Sequence, residues 1–492
     1  MRIQPCATFL SLPCLLAAQA PPALISPAPA PAPDLARMKA DLFYLAGPEC
    51  QGRGTGQPGQ RIAAAYIARR MRENGLQPLK GEGMGGPTPY HFMYVLERLT
   101  LDPDRSFLRL GDQTLKLGRD FATMLTQAKE GGAVLLRDPA GQDLKGKWVF
   151  LVQDPEEGAE ASNQRYSKVM EADAAGVVLL SSDLSKPSPA LVRIVSYLRD
   201  RAREERYALK GKESIQRPVL VLSAEGQKAL GLEGAALSGV PRSLGTLRYE
   251  PSVKREEVEA SDLAALIPGS DPKLKDEVVV VSAHHDHLGL AYGLMHPGAD
   301  DNASGTVGIL EVGRLLVKAS ARRSVLILSV SGEELGLFGS EAFLAHPPIP
   351  LARLKADINI DMIGREALDD LEVTPARVPG AVSSLTANAR ELAPKDGFRL
   401  RPDADAYWER SDHFNFFKKG IPAIFFFDGM TVDYHQPGDT PEKIDLAKVA
   451  KVVGLVRDLA LQVADAPEAP QLLTDKEQQG WAWPAAAAAA GK

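Results

Sequence analysis

Short, continuous apolar runs recur in the second half of the chain and constrain its fold more than any other feature. They occupy residues 278–281, 325–328, 358–360 and 424–427. Such runs are typical of strands buried on both faces, as in parallel sheets. A helical pattern lies between the first two, because Ile309, Val312 and Leu316 fall on one face after Ser304 and Gly305. Strands alternating with helices predict an α/β fold, a three-layer α/β/α sandwich around a central, largely parallel (mixed) sheet.

Composition divides the chain into segments. Residues 101–261 carry short β-rich runs and no histidine, which indicates a smaller inserted β-rich domain. A helix-loop-helix pattern precedes it, and a Pro-, Gln- and Ala-rich stretch ends the chain. The predicted segments are a signal peptide with a Pro/Ala-rich leader (1–30), the first part of the main domain (34–100), the inserted domain (101–261), the second part of the main domain (262–465) and a disordered tail (466–492).

The leader and the charge bear on where the protein acts. A weakly positive start, an apolar run and the small-x-small group Ala18-Gln19-Ala20 are typical of a signal peptide, so we expect an exported, periplasmic or secreted protein. The apolar run is too short, and too interrupted by Pro13, to span a bilayer, so we expect no integral membrane protein. A net charge of −6 argues against nucleic acid as a partner.

Carboxylates and histidines follow or end most of the apolar runs. In parallel sheets, sites form beyond the carboxyl ends of the strands, so the fold could bring these groups to one edge. Carboxylate oxygens and imidazole nitrogens suit zinc and related divalent ions, and the absence of thiolates fits a catalytic rather than a structural site. The fragments are residues 283–287, 298–302, 331–334, 359–362 and 433–436.

Adjacent acidic pairs supply the roles of a catalytic metal site. Asp300 and Asp301 offer one carboxylate to bridge two ions and a second to support it. Adjacent side chains point in different directions, so of Glu333 and Glu334 one can bind metal while the other stays free as a base. Each pair alone would be an ordinary turn or helix cap, and only the whole set predicts catalysis.

The remaining fragments complete the set. Asp286 could hydrogen-bond the second ring nitrogen of His284. Asp361 and His435 each offer a further ligand, and Tyr434 could donate a hydrogen bond to a developing oxyanion. Supporting or structural roles are expected for the other histidines of these stretches, His285, His287 and His296.

Together these motifs resemble the co-catalytic zinc aminopeptidases related to bacterial leucyl aminopeptidase and glutamate carboxypeptidase. The resemblance runs from about residue 45 to 465 and includes the loop at residues 52–56 and an inserted protease-associated domain. It implies two Zn²⁺ ions per chain and a cis peptide between Asp300 and Asp301. The implied roles are Asp300 as the bridge, His284 and Asp361 on one ion, Glu334 and His435 on the other, and Glu333 as general base.

The expected function is an exported aminopeptidase that removes amino-terminal residues from peptides, with Arg410 as a substrate contact. A carboxypeptidase or dipeptidase of the same fold is the first alternative and would need a basic pocket for the substrate carboxylate. A catalytically inactive receptor or binding module is disfavoured by the intact ligand set. A glutaminyl cyclase with a single zinc is the remaining alternative.

Overall fold

The computed structural model describes residues 32–188, 191–192, 194, 205–212, 217–238, 240–291 and 293–480. The predicted leader and the last residues of the tail lie outside this part of the chain. The helices are α1 (Leu35–Leu45), α2 (Pro58–Glu73), α3 (Ala159–Glu171), α4 (Ala224–Ala229), α5 (Gly305–Leu316), α6 (Phe338–Ala345), α7 (Ser384–Leu392), α8 (His413–Lys418), α9 (Leu446–Asp465) and α10 (Asp475–Gly480).

Strands form at each of the predicted apolar runs and extend them by a few residues, and further strands lie elsewhere in the chain. They are β1 (Gln77–Pro78), β2 (His91–Leu110), β3 (Gln113–Lys116), β4 (Phe121–Thr123), β5 (Lys129–Leu136), β6 (Trp148–Gln153), β7 (Gly176–Ser181), β8 (Arg206–Leu209), β9 (Val219–Leu222), β10 (Arg242–Ile267), β11 (Val278–His284), β12 (Gly289–Ala291), β13 (Leu294–His296), β14 (Ser324–Val330), β15 (Leu354–Asp361), β16 (Asp370–Thr374), β17 (Arg399–Arg401) and β18 (Ala423–Phe427).

The centre of the main sheet is parallel, as the continuous apolar runs predict. Strands β14, β11, β15 and β18 lie side by side in that order and all run in one direction. Antiparallel neighbours flank them, with β10 beside β14 and β16 beside β18, so the sheet is mixed. The parallel block matters for function because the carboxyl ends of its strands open at one edge.

Helices cover both faces of this block. Val279 and Val281 of β11 pack in the core formed with α1, α2, α5, α7 and α9, whereas Val278 and Val280 pack on the opposite face with α6 and α8. Alternating side chains of one strand therefore enter two separate cores, which requires every position of the run to be apolar. The predicted three-layer α/β/α sandwich is confirmed.

Two long strands connect the main domain with the β-rich region. Strands β2 and β10 pair antiparallel from the His91–Leu263 contact to the Leu110–Leu247 contact. The boundaries expected near residues 101 and 261 lie inside these strands. Beyond them β5, β6, β7 and β9 form a parallel block with apolar cores on both faces. The identification of this region as a protease-associated domain stays a prediction.

The chain beyond residue 465 is ordered for longer than the tail prediction allows. Leu472 forms a β-bridge with Ser383, Leu473 N donates to Val382 O, and α10 follows. The sequence did not predict these contacts, because the stretch has low complexity and its apolar pair, Leu472-Leu473, is too short to indicate a strand. Among the described residues, no helix has the length and apolar character needed to cross a membrane.

Candidate metal centre

The predicted site residues meet at the carboxyl edge of the parallel block. His284 is the last residue of β11 and Asp361 the last of β15. Glu333 and Glu334 follow the end of β14, and His435 follows β18. Because these strands are parallel neighbours, residues far apart in the chain share one edge.

One cluster of metal-ligating groups forms around His284. Its Nε2 lies 3.2 Å from Asp361 Oδ1 and 3.4 Å from Asp301 Oδ1. Each of these three residues places one ligand atom within 4.8 Å of the others, and all three are buried. The cluster could therefore hold a metal ion with mixed nitrogen and oxygen ligands.

A second cluster forms around Glu334. His435 Nε2 lies 3.0 Å from Glu334 Oε2 and 3.3 Å from Asp301 Oδ2. From another side, His287 Nδ1 lies 2.7 Å from Glu334 Oε1 and 3.6 Å from Asp301 Oδ2. The two oxygens of Asp301 thus face different clusters, and Asp301 connects them.

The two adjacent aspartates have exchanged places relative to the prediction. Asp300, the expected bridge, turns away from both clusters, and its Oδ1 accepts a hydrogen bond from Gly364 N at 2.9 Å. Asp301, expected to support it, lies between the clusters. The irregular turn Ala299–Ser304 decides which carboxylate points inward, since Asp301 leaves helical geometry at φ −102° and ψ 92°. The cis peptide is Asp301–Asn302, not the expected Asp300–Asp301.

Asp439 fixes the conformation of this turn. Its carboxylate accepts hydrogen bonds from the backbone N of Asp300 at 3.0 Å and of Asp301 at 3.1 Å. Burial raises the pKa of Asp439, and these backbone donors oppose that increase. The sequence analysis did not select Asp439, because its role consists of backbone hydrogen bonds across 138 residues of chain.

Asp286 lies beside His284, as predicted. His284 Nδ1 is 3.2 Å from the Asp286 backbone oxygen and 3.6 Å from its Oδ1. The Asp286 carboxylate also accepts the Thr55 hydroxyl at 2.7 Å and Glu333 N at 3.3 Å. It therefore connects the His284 loop to the loop that carries the glutamate pair.

Arg53 holds the loops of the site together. Its guanidinium is fully buried and donates to the backbone oxygens of His285 at 2.8 Å, Pro297 at 2.7 Å and Gly298 at 2.7 Å. Both Arg53 and Thr55 belong to the glycine-rich loop that the sequence marked without assigning residues. The glycines were the available signal, because they indicate an unusual backbone close to other chain segments.

A pocket opens beside the clusters and contains the other predicted residues. Glu333, Tyr434 and Arg410 line it together with Asp301 and Asp361. Arg410 Nη2 donates to the Tyr434 hydroxyl at 3.3 Å. The rest of the wall is aromatic or thioether: Met362, Tyr407, Phe425, Phe427 and Met430.

Comparison with known proteins relates part of the chain to a peptidase family. Residues 262–460 match peptidase family M28. This segment is similar to the peptidases of that family. All the residues of both clusters lie within the matched segment, whereas Arg53 and Thr55 lie outside it.

Relatives with curated names are similar over part of their length. Aminopeptidase YwaD of Bacillus subtilis is 28% identical over 206 residues, which are 40% of this chain and 43% of that protein. Leucine aminopeptidase 1 of Trichophyton equinum is 29% identical over 285 residues, or 51% of this chain and 75% of that protein. The match thus spans less than half of YwaD and three quarters of the fungal protein.

A solved structure shares the fold over nearly the whole chain. The aminopeptidase from Aneurinibacillus sp. strain AM-1 aligns with a TM-score of 0.53 and 19% identity. The alignment covers 90% of this chain and 96% of that chain. The two chains share the α/β architecture.

The electrostatics of the site favour bound cations. Burial lowers the pKa of His435, but the hydrogen bonds that its ring donates to Asp301 and Glu334 outweigh this effect and raise the pKa to about 10. Burial raises the pKa of Glu333 well above its usual range; the charge of His284 opposes the increase, and that of Glu334 adds to it. In both groups a bound proton offsets the negative charge of the neighbouring carboxylates, and a metal cation would offset the same charge.

The donor atoms fit zinc by type as well as by charge. Carboxylate oxygens and imidazole nitrogens predominate, as in catalytic zinc sites. Both imidazoles turn one ring nitrogen toward Glu334, His287 Nδ1 to Oε1 at 2.7 Å and His435 Nε2 to Oε2 at 3.0 Å. Nitrogen and oxygen donors thus converge, which is the arrangement that a zinc ion requires.

Proposed function

We propose that the protein is an exported, zinc-dependent aminopeptidase. The observation that carries the proposal is the arrangement of two donor clusters that share Asp301, with the Glu333 carboxylate in the adjoining pocket. The similarity of this chain to proteins named aminopeptidases supports the same activity. Export rests on the signal-like leader sequence.

Each of the two clusters would hold one ion. His284, Asp301 and Asp361 would hold the first, and Asp301, Glu334 and His435 the second. When bound, such a pair of ions lowers the pKa of a water and polarises the scissile carbonyl. Asp301 would contribute to both sites, and Asp300 would support the turn that carries it.

Glu333 then acts as general base. Its carboxylate lines the pocket beside the clusters, and its backbone N donates a hydrogen bond to Asp286 Oδ1 at 3.3 Å. It takes the proton of the attacking water and delivers it to the leaving amine.

Tyr434 stabilises the charge that develops on the carbonyl oxygen. Burial raises the pKa of its hydroxyl well above the usual range, with Asp301 and Glu334 adding to the increase. The hydroxyl therefore stays protonated at neutral pH and can donate a hydrogen bond. The aromatic wall of the pocket suits an apolar first side chain of the substrate.

A carboxypeptidase or dipeptidase remains the second candidate because of Arg410. This guanidinium lines the pocket and is exposed, so it could pair with a substrate carboxylate. In the aminopeptidase proposal the free amino group instead meets the carboxylates near Asp301. The two candidates therefore differ in which end of the peptide must be unblocked.

Peptides blocked at one end or the other separate the candidates. We expect cleavage of aminoacyl substrates with a free amino group and a blocked carboxyl group, with preference for apolar first residues. Cleavage that requires a free carboxyl group, and that Arg410→Ala abolishes, would contradict aminopeptidase activity and favour the second candidate. Formation of a cyclic product from amino-terminal glutamine would contradict both.

A further inference from the structure

We propose that His287 is a direct ligand of the second ion. The sequence analysis expected only a supporting or structural role for this histidine. The inference rests on the proposed metal site and extends it. It gives the second ion His287, Asp301, Glu334 and His435 as ligands, whereas the first ion has His284, Asp301 and Asp361.

The distances suit ligation. Zinc binds nitrogen and oxygen at about 2.1 Å, which places neighbouring donors of a tetrahedral site about 3.4 Å apart. His287 Nδ1 lies 2.7 Å from Glu334 Oε1 and 3.6 Å from Asp301 Oδ2. His435 Nε2 approaches the same two carboxylates at 3.0 and 3.3 Å. Both imidazoles thus face the gap between Glu334 and Asp301.

The fold holds this ring in place. The side chain of His287 is fully buried, and the ring packs against Gly298. A Cβ atom at position 298 would lie 2.5 Å from His287 Cγ and Cδ2, so only glycine leaves room for the imidazole. Gly298 also has φ +55°, which glycine adopts without strain.

An orienting hydrogen bond to Glu334 is the competing role. In that arrangement Nδ1–H would donate to Glu334, and the ring would need no approach to Asp301. The orientation of Nδ1 toward both carboxylates, together with a second imidazole at the same pair, favours ligation. The structure contains two imidazoles around one carboxylate pair, with ring centroids 5.6 Å apart.

Cobalt substitution tests the inference by counting imidazole ligands. In the metal-free protein reloaded with two equivalents of Co²⁺, each ligating imidazole contributes one strongly shifted, exchangeable ring N–H signal in the proton NMR spectrum. We expect three signals, from His284, His287 and His435, and two signals in His287→Ala. The exposed His346→Ala variant, whose side chain is 69% exposed, keeps three.

Metal affinity provides a second readout. Loss of an orienting partner weakens binding by roughly 10- to 100-fold, and loss of a ligand by more. Competition with a chelator should therefore show a loss exceeding about 100-fold for one ion in His287→Ala. Two shifted signals in the wild-type protein would overturn the inference. Failure of the wild-type protein to bind Co²⁺ would instead contradict the proposed metal site itself.

Discussion

Glu333 and Glu334 are adjacent in the chain but face different partners. Glu334 lies 2.7 Å from His287 and 3.0 Å from His435, inside the second cluster. Glu333 faces the pocket beside Asp361 and Tyr434. The proposed roles of ligand and base follow from this divergence of two neighbouring side chains.

Replacing the proposed base tests its role without disturbing the clusters. Glu333→Gln keeps the side-chain volume but removes the proton acceptor, so we expect kcat to fall by about 10²- to 10⁴-fold. Zinc content, measured by atomic absorption, should stay at the wild-type value. Unchanged turnover would contradict the role of Glu333, and loss of zinc would make it a ligand instead.

The Tyr434 hydroxyl should act in the transition state and not in substrate binding. Tyr434→Phe is expected to lower kcat by about 100-fold with little change in KM, because one oxyanion donor is removed. Tyr407→Phe provides a matched control in the same pocket, and its kcat should change little. A Tyr434→Phe variant that raises KM alone would show a contact with the bound substrate only.

At the scale of elements, the loop at residues 52–56, just before α2, holds three other loops in place through hydrogen bonds. Arg53 reaches backbone oxygens on both sides of the β12–β13 hairpin, at His285 and at Pro297 and Gly298. Thr55 bonds both Asp286 at 2.7 Å and Gly332 N at 2.9 Å. The first part of the main domain therefore builds the site without supplying a ligand.

Arg53→Met should weaken both the fold and metal binding. The change leaves several buried carbonyl oxygens without a donor, each at a cost of about 1–3 kcal/mol, so we expect the free energy of unfolding to fall by at least about 3 kcal/mol. Denaturant unfolding measures this, and zinc affinity should fall as well. In the control, Arg61→Met, the side chain loses an exposed hydrogen bond to Gly56 O. The free energy of unfolding should then change by less than about 1 kcal/mol. Equal effects in both variants would contradict the role of Arg53.

Sequence periodicity predicted the elements well and the direction of individual side chains poorly. The apolar runs of β11, β14, β15 and β18 predicted a parallel sheet, and a parallel sheet places its site at one edge. Asp300 and Asp301 were exchanged because an irregular turn between a strand and a helix has no period from which orientation can be read. His287 lies in a loop three residues beyond the end of β11, so periodicity gave no orientation for its side chain either.

At the scale of the whole molecule, the site joins distant parts of the chain. Asp439 and the turn at Asp301 are 138 residues apart, and Thr55 and Asp286 are 231 apart. Contacts of this span carry no local sequence signal, which is why Arg53, Thr55 and Asp439 were not predicted. They also couple metal binding to global stability, because ions that bind only the folded protein stabilise it.

Metal removal should therefore proceed in two phases and lower stability in each. On the proposed ligand sets, the second ion has four protein donors and the first has three, so a chelator should remove the first ion earlier. At free zinc 100-fold above Kd, one ion contributes about 2.7 kcal/mol, so each loss should lower Tm measurably by calorimetry. Asp361→Asn, which alters only the first cluster, should leave the slow phase intact. Release of both ions in a single phase would contradict the unequal ligand sets.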